Sequence, residues 1–315
     1  MLRTESTLVA VSVVIATFNS AKYIRETLES VLAETYPPPE IIVVDDGSTD
    51  ETAAIVRSYA GRVRLLQQEH RSQPEARNLG IRKAQGNFIA VVDSDDLWLP
   101  EKLERQVSCL LEKKVEWVSC GVDFFNNSTG ETLPRYRKKL YEGDVLEQLL
   151  MDCFVLSPTP VVKKTVFEEV GYFNDTWEVY TGEDWDMWLR IAACYPLGMV
   201  HEMLALKREH PASLLTITSV EEKLRFQVLT IEWAIARQPE RLSPLKNRAL
   251  AKLYLHHGAT LLKQGQYEQA RELIAHAWQL NPFNLSTGAY WLILHSGEPG
   301  RTGYRIFRKA KNLRG

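Results

Sequence analysis

Three polar clusters each follow directly on an apolar run. Thr17-Phe-Asn19 follows Val11–Ala16, Asp45-Asp-Gly-Ser48 follows Ile41–Val44, and Asp93-Ser-Asp-Asp96 follows Phe88–Val92. Each has a plain structural use: Asp-Gly is a turn, Ser48 can cap a helix, and the acidic triplet can cap the helix near Pro100. Three strand ends rich in carboxylates and hydroxyls on one edge suggest more, because open α/β sheets bind ligands outside the carboxyl ends of their strands. A hard dication such as Mg²⁺ or Mn²⁺ takes oxygen ligands and needs few protein carboxylates when phosphates supply the rest. Alternate acids of the triplet can place one carboxylate on such a metal and another on a ribose hydroxyl, and the metal then neutralises a departing diphosphate. Further on, Glu183-Asp184 precedes Trp185, Trp188 and Leu189. A carboxylate there either caps a helix or takes a proton from an attacking hydroxyl.

The elements that must position these groups alternate strand and helix. Val11–Ala16, Ile41–Val44, Leu65-Leu66 and Phe88–Val92 read as buried strands, and Trp117–Phe125 as a further one. Asn19 or Ser20 is expected to cap a helix whose apolar face is Ile24, Leu28, Val31 and Leu32. Ser48-Thr-Asp-Glu51 reads as a capping box for a helix through Ile55, Val56 and Tyr59. Pro74 suits the first turn of another helix and Gly86 its stop. Pro100 opens one with Leu103, Val107, Leu110 and Leu111 inward. Such alternation predicts an α/β fold with a mainly parallel sheet and helices on both faces. From about 126 to 219 the periodicity is poorer, and mixed structure is expected to hold the acceptor side.

From about Val220 the chain reads as an α-helical C-terminal region. Tyr254, Gly258, Leu261, Ala270, Ile274, Ala277 and Pro282 fall at the spacing of one tetratricopeptide-like hairpin of about 34 residues. One such unit buries its faces poorly, so it packs on the rest of the chain or on a protein partner. In the tail, Arg301, Arg305, Arg308, Lys309, Lys311 and Arg314 alternate with Tyr304, Ile306, Phe307, Ala310 and Leu313, with no acid among residues 301–315. That segment is either a solvated terminus or a contact for an anionic membrane surface. The expected domains are 1–219, with its nucleotide-binding half at 9–125 and its acceptor side at 126–219, and 220–315.

Composition excludes several classes. A net charge of -2 over 315 residues gives no whole-chain attraction to nucleic acid. The apolar run Leu8–Phe18 is too short to span a bilayer and lacks a basic start and a cleavage site. The four cysteines show neither Cys-x-x-Cys pairing nor zinc spacing, and read as reduced thiols of a cytoplasmic protein. No Gly-x-Gly-x-x-Gly turn follows the first strand, which argues against a dinucleotide oxidoreductase. A receiver-type signalling domain would carry its acidic pair after the first strand, whereas here Val11–Ala16 precedes Asp45-Asp46.

Taken together, Val13-Val-Ile-Ala-Thr-Phe-Asn19, Val43-Val-Asp-Asp-Gly-Ser48, Ala76-Arg-Asn-Leu-Gly80, Val92-Asp-Ser-Asp-Asp96 and Gly182-Glu-Asp-Trp185 resemble the family 2 glycosyltransferases of the GT-A fold. The resemblance runs over about residues 9 to 215, in order. It implies a GT-A type, Rossmann-like sheet, a nucleotide-diphospho-sugar donor, a divalent metal (Mn²⁺ or Mg²⁺) and inversion at the anomeric carbon. By the same resemblance Thr17 lines the nucleotide pocket, with Asn19 and Ser94 beside it. Asp46 accepts a ring N–H of the base, which suits uracil or thymine. Arg77 lies near base and phosphates, Asp93 and Asp95 form the Asp-x-Asp pair with Asp95 on the metal, and Asp184 is the general base. His210, in Lys207-Arg-Glu-His210, resembles a late histidine that approaches the diphosphate or metal. The acceptor expected is a glycan or lipid-linked glycan hydroxyl, reached from the inner membrane face. Trp185 and Trp188 either pack in the core or stack on an acceptor sugar. The alternative is a non-catalytic nucleotide-sugar-binding or scaffold protein acting through its helices.

Overall fold

A computed structural model describes residues 9–133, 138–176, 182–282, 288, 290 and 291. The chain divides into two compact units, Met1–Ile217 and Thr218–Gly315. The first opens with β1 (Val11–Thr17), α1 (Ile24–Leu32), β2 (Glu40–Asp45), α2 (Thr52–Arg57), β3 (Arg64–Gln67), α3 (Gln73–Lys83) and β4 (Phe88–Asp93). It continues through β5 (Leu97–Trp98), α4 (Lys102–Lys113), β6 (Trp117–Asn126), α5 (Leu146–Met151), β7 (Val161–Lys163), α6 (Lys164–Val170), α7 (Glu183–Ala192), β8 (Leu197–Glu209) and α8 (Leu214–Ile217).

The strands form one sheet in the order β3-β2-β1-β4-β7-β6-β8-β5. The first four are parallel, as is the β6–β8 pair, while β7 and β5 run antiparallel to their neighbours. The sheet is therefore mixed, with a parallel half that carries the three clusters. Every residue of β1 is buried, which explains why it reads as an unbroken apolar run rather than an alternating one. Its odd positions, Val11, Val13 and Ile15, pack with Ile24, Leu28 and Val31 of α1, Val56 of α2, and Leu103, Val107 and Leu110 of α4. The opposite face receives α3. A methyl on Gly80 would come within 2.4 Å of Val14 Cγ1 and 3.2 Å of Val44 Cγ2, so only glycine lets α3 lie this close.

Helix starts depart from the expectations more than strands do. Neither Asn19 nor Ser20 caps α1, which begins after Tyr23 without a side-chain cap. Asn19 instead adopts φ +48° and its Oδ1 accepts from Thr49 N. The Ser48–Glu51 capping box does not form. Ser48 Oγ accepts from Asn19 N, and Asp50 Oδ1 accepts from Thr52 N at the start of α2. The α3 helix is capped by Ser72, with Pro74 in its first turn, and ends at Ala84. Gly86 lies beyond that end, where a Cβ would meet Ala10 O at 2.6 Å, so its constraint is the approach of β1. Leu111, expected inward, is 55% exposed, while Lys102 and Gln106 are buried together with Leu103, Val107 and Leu110 of α4. Lys102 Nζ donates to Gln106 Oε1 and lies 3.9 Å above the Trp98 ring.

The second unit contains α9 (Val220–Arg237), α10 (Pro239–Leu242), α11 (Lys246–Gln264) and α12 (Tyr267–Leu280). A full capping box between Ser219 and Glu222 starts α9. The α11–α12 hairpin turns at Gly265, φ +84°, and buries Leu261, Ala270, Ile274 and Ala277, with Gly258 facing Ile274. The basic tail, Arg301 to Arg314, lies outside the described residues. Among those described, no helix is long and apolar enough to cross a membrane.

Candidate active site

Strand register brings the three clusters together. Thr17 is the neighbour of Asp45 across β1–β2, and Ala16 of Asp93 across β1–β4, so the three strands end flush at one edge. On this edge Thr17 is buried, and its Oγ1 has no hydrogen-bond partner among the described residues. Asp46 is 2% exposed and fully engaged. Its Oδ1 accepts from Gln68 Nε2 at 2.6 Å and Arg71 N at 3.0 Å, and its Oδ2 meets His70 Nδ1 at 2.9 Å. The His70 ring in turn stacks on Phe18, centroids 4.0 Å apart and planes 18° apart. Phe18 is 42% exposed, so an exposed aromatic pair covers the Asp46 carboxylate.

Asn19 and Ser94 tie loops together. Asn19 joins the loop after β1 to the loop after β2, as described above. Ser94 is buried, with its Oγ 2.7 Å from Ser20 Oγ and its carbonyl accepting from Thr27 Oγ1. Both fix the loops that frame the edge.

The acidic cluster sits where β4 ends. One carboxylate oxygen each from Asp93, Asp95 and Asp96 lies within 4.8 Å of the others. Asp93 Oδ1 accepts from Arg77 Nη2 at 2.5 Å and Gln73 Nε2 at 3.2 Å, and its Oδ2 from Lys207 Nζ at 3.2 Å. Burial pushes the Asp93 carboxyl up, but Arg77 and Lys207 outweigh it and hold it at about 2. Asp96 is completely buried, with Oδ1 on Arg208 N and Oδ2 on Lys207 Nζ, both at 3.0 Å. For Lys207, burial opposes the charge, yet Asp96 and Asp93 prevail and keep it a firm ammonium. Asp95 is the accessible member. Its Oδ2 lies 2.9 Å from His210 Nε2, and among the described residues its Oδ1 accepts no hydrogen bond. His210 Nδ1 is buried without a partner among the described residues, and the ring rests on Tyr23 at 4.5 Å. This donor set, with one open carboxylate oxygen, suits a hard dication that also takes phosphate oxygens.

Long-range pairing delivers the late residues. Leu97 and Trp98 of β5 pair with Leu206 and Ala205 of β8, so the end of β8 runs beside the acidic cluster. Arg208 then donates Nε to the Asp95 carbonyl and Nη2 to Glu26 Oε2.

Arg77 lies between the acidic cluster and α7. It is 2% exposed and spans two acids, Asp93 through Nη2 and Glu183 Oε1 through Nη1 at 2.9 Å. Its guanidinium also lies over the Phe173 ring. It thus ties the β4 cluster to the first turn of α7. Gly182, not Asp184, is the residue preceding that helix, and no side chain caps it. Asp184 accepts only from Trp185 N, next along the chain, at 2.7 Å among the described residues. Burial first, and the Glu183 carboxylate second, raise the Asp184 carboxyl to about 7, against the pull of Arg77. A half-buried carboxylate so tuned suits proton abstraction near neutrality. Trp185 and Trp188 both lie in the core. Sequence reasoning gave no role to Phe18, His70, Lys207 or Arg208. Lys207 and Arg208 stood beside His210 in the same tetrapeptide, the only signal available; His70 carried none.

Known proteins resemble the chain in sequence and in fold. A family model described as glycosyl transferase family 2 matches residues 12–171. An uncharacterized glycosyltransferase of Rickettsia typhi is 31% identical over 229 residues, 70% of each chain. The Escherichia coli UDP-Glc:alpha-D-GlcNAc-diphosphoundecaprenol beta-1,3-glucosyltransferase WfgD is 30% identical over 185 residues, 58% of this chain and 69% of its own. Staphylococcus aureus TarS, solved with UDP-GlcNAc, has the same fold at a TM-score of 0.67 and 20% identity, covering 96% of this chain and 92% of that one. With the matched region carrying the strand-end clusters, the chain belongs to glycosyl transferase family 2 and is a glycosyltransferase.

Proposed function

We propose that the enzyme is inverting and takes its sugar from a uridine or thymidine diphosphate donor. Residues 1–219 form the catalytic domain and 220–315 the helical region. Thr17 and Asp46 face the nucleotide, with His70 leaving Asp46 as the base arrives. The similarity to the E. coli UDP-Glc glucosyltransferase and to TarS, solved with UDP-GlcNAc, supports the pyrimidine reading. Asp95 and His210 would hold a Mn²⁺ or Mg²⁺ ion. Such an ion supplies Lewis-acid neutralisation of the leaving diphosphate when bound.

The chain's own chemistry centres on Asp184. The acceptor oxygen attacks the anomeric carbon as its proton passes to the Asp184 carboxylate. The bond from that carbon to the diphosphate oxygen breaks on the opposite face, and the configuration inverts. The observation that carries this reading is the Arg77 bridge, which fastens the acid cluster at Asp93 to the turn bearing Asp184. Donor and base are thereby held in one rigid unit. The acceptor is a hydroxyl of a glycan or lipid-linked glycan, reached with the protein peripheral on the inner membrane face. The diphosphoundecaprenol-linked acceptor named for the E. coli protein supports that class. Turnover of a nucleotide-sugar panel by wild type and Asp184→Asn, with the product anomer read by NMR, tests the proposal. A product retaining the donor's configuration contradicts it.

A further inference from the structure

Lys207 is an unexpected resident of a site built for a dication. Its side chain is only 17% exposed, at the end of β8. The three protons of its ammonium have three acceptors: Asp96 Oδ2 at 3.0 Å, Asp93 Oδ2 at 3.2 Å and the Ser157 carbonyl at 3.3 Å. The remaining oxygens of those acids are taken too, Asp93 Oδ1 by Arg77 and Asp96 Oδ1 by the Arg208 amide. Of the cluster's carboxylates, Asp95 alone keeps an oxygen with no hydrogen bond among the described residues. Yet Asp93, Asp95 and Asp96 are close enough to converge on one ion. A monovalent cation therefore already occupies the acids that would otherwise complete a protein-only metal cage.

We propose that Lys207 is a positioning residue that reserves Asp93 and Asp96, so that the protein captures its dication only weakly until the donor's diphosphate supplies further ligands. The inference rests on the metal-dependent reading above. Its physical basis is charge. A fixed positive group within about 5 Å opposes a dication even at high dielectric, enough for roughly tenfold in affinity or more. Removing it also releases two carboxylates. Metal binding without nucleotide should thus improve when Lys207 is neutralised, the reverse of what loss of a merely structural contact would do.

The test is a titration of the full chain with Mn²⁺, free ion being read by electron paramagnetic resonance, with and without UDP. Lys207→Gln should bind Mn²⁺ alone roughly tenfold or more tighter than wild type. Addition of UDP should then enhance Mn²⁺ binding less than in wild type, and Lys207→Arg should behave as wild type. Unchanged or weaker Mn²⁺ binding by folded Lys207→Gln overturns the role of Lys207 while leaving the metal reading intact. Failure of wild type to bind Mn²⁺ even with UDP contradicts the metal reading and this inference with it. Should Lys207→Gln fail to fold, the comparison is made between Asp96→Asn and Asp96→Asn/Lys207→Gln, where no unpaired buried carboxylate is left at position 96. Tighter binding by the double variant is expected there, and equal binding overturns the inference.

Discussion

Asp184 and Asp95 carry the two halves of the proposed chemistry, and each can be removed separately. Asp184→Asn keeps the shape and the bond to Trp185 N but cannot accept a proton. Turnover is expected to fall by roughly 10²–10⁴ with donor affinity nearly unchanged. The raised carboxyl also sets a pH dependence. With its value at about 7 against an ordinary 3.8, the charged form is disfavoured in the folded chain. Activity should rise with pH through about 7, as the base ionises. Stability has the opposite sign: this group weakens the fold as pH climbs from about 4 to about 7. Asp184→Asn, which never ionises, should therefore melt no lower than wild type at about pH 8, measured by calorimetry. A lower melting point there would make Asp184 a structural residue of α7. Asp95→Ala removes the open carboxylate and should cost on the order of several kcal/mol in transition-state stabilisation. Turnover that survives EDTA would contradict its place on a metal.

At the scale of elements, the parallel half of the sheet was legible because its strands are buried on both faces and read as β-branched runs ending abruptly in polar residues. The matched strand ends then located Thr17, Asp46, Asp93 and Asp95 on one edge. Helix starts were less legible. Ser48 and Asn19 have the composition of caps, but their side chains serve loops some thirty residues away, as the Asn19–Thr49 bond shows. The Lys207–Asp96 pair spans 111 positions and depends on β5 meeting β8, so no local pattern announces it. Arg77 stood out in its motif, yet its partners follow from how α3 lies on the sheet. Gly80 governs that placement. Gly80→Ala should drive a methyl into Val14 and Val44 and cost about 1–3 kcal/mol. A fall in melting temperature of several degrees checks this, and Val14→Ala in the same chain should recover part of it.

At the scale of the whole molecule, the proposed donor edge and base belong to the first unit, and the tail of the chain is basic in sequence. If residues 301–315 dock the protein on an anionic membrane, full-length protein should co-sediment with vesicles of anionic lipid, and added salt should release it. A chain ending at Pro299 should not bind; equal binding by both removes the tail from the account. The proposed chemistry depends on a pyrimidine diphosphate held with a metal at Asp95. Calorimetric titration with UDP, dTDP and GDP, in Mn²⁺ and in EDTA, on wild type and Asp95→Ala, measures this directly. The prediction is that UDP or dTDP binds wild type in Mn²⁺ in preference to GDP, and that EDTA or Asp95→Ala each weaken that binding by roughly tenfold or more. Preference for GDP, or affinity indifferent to both EDTA and Asp95→Ala, would contradict it.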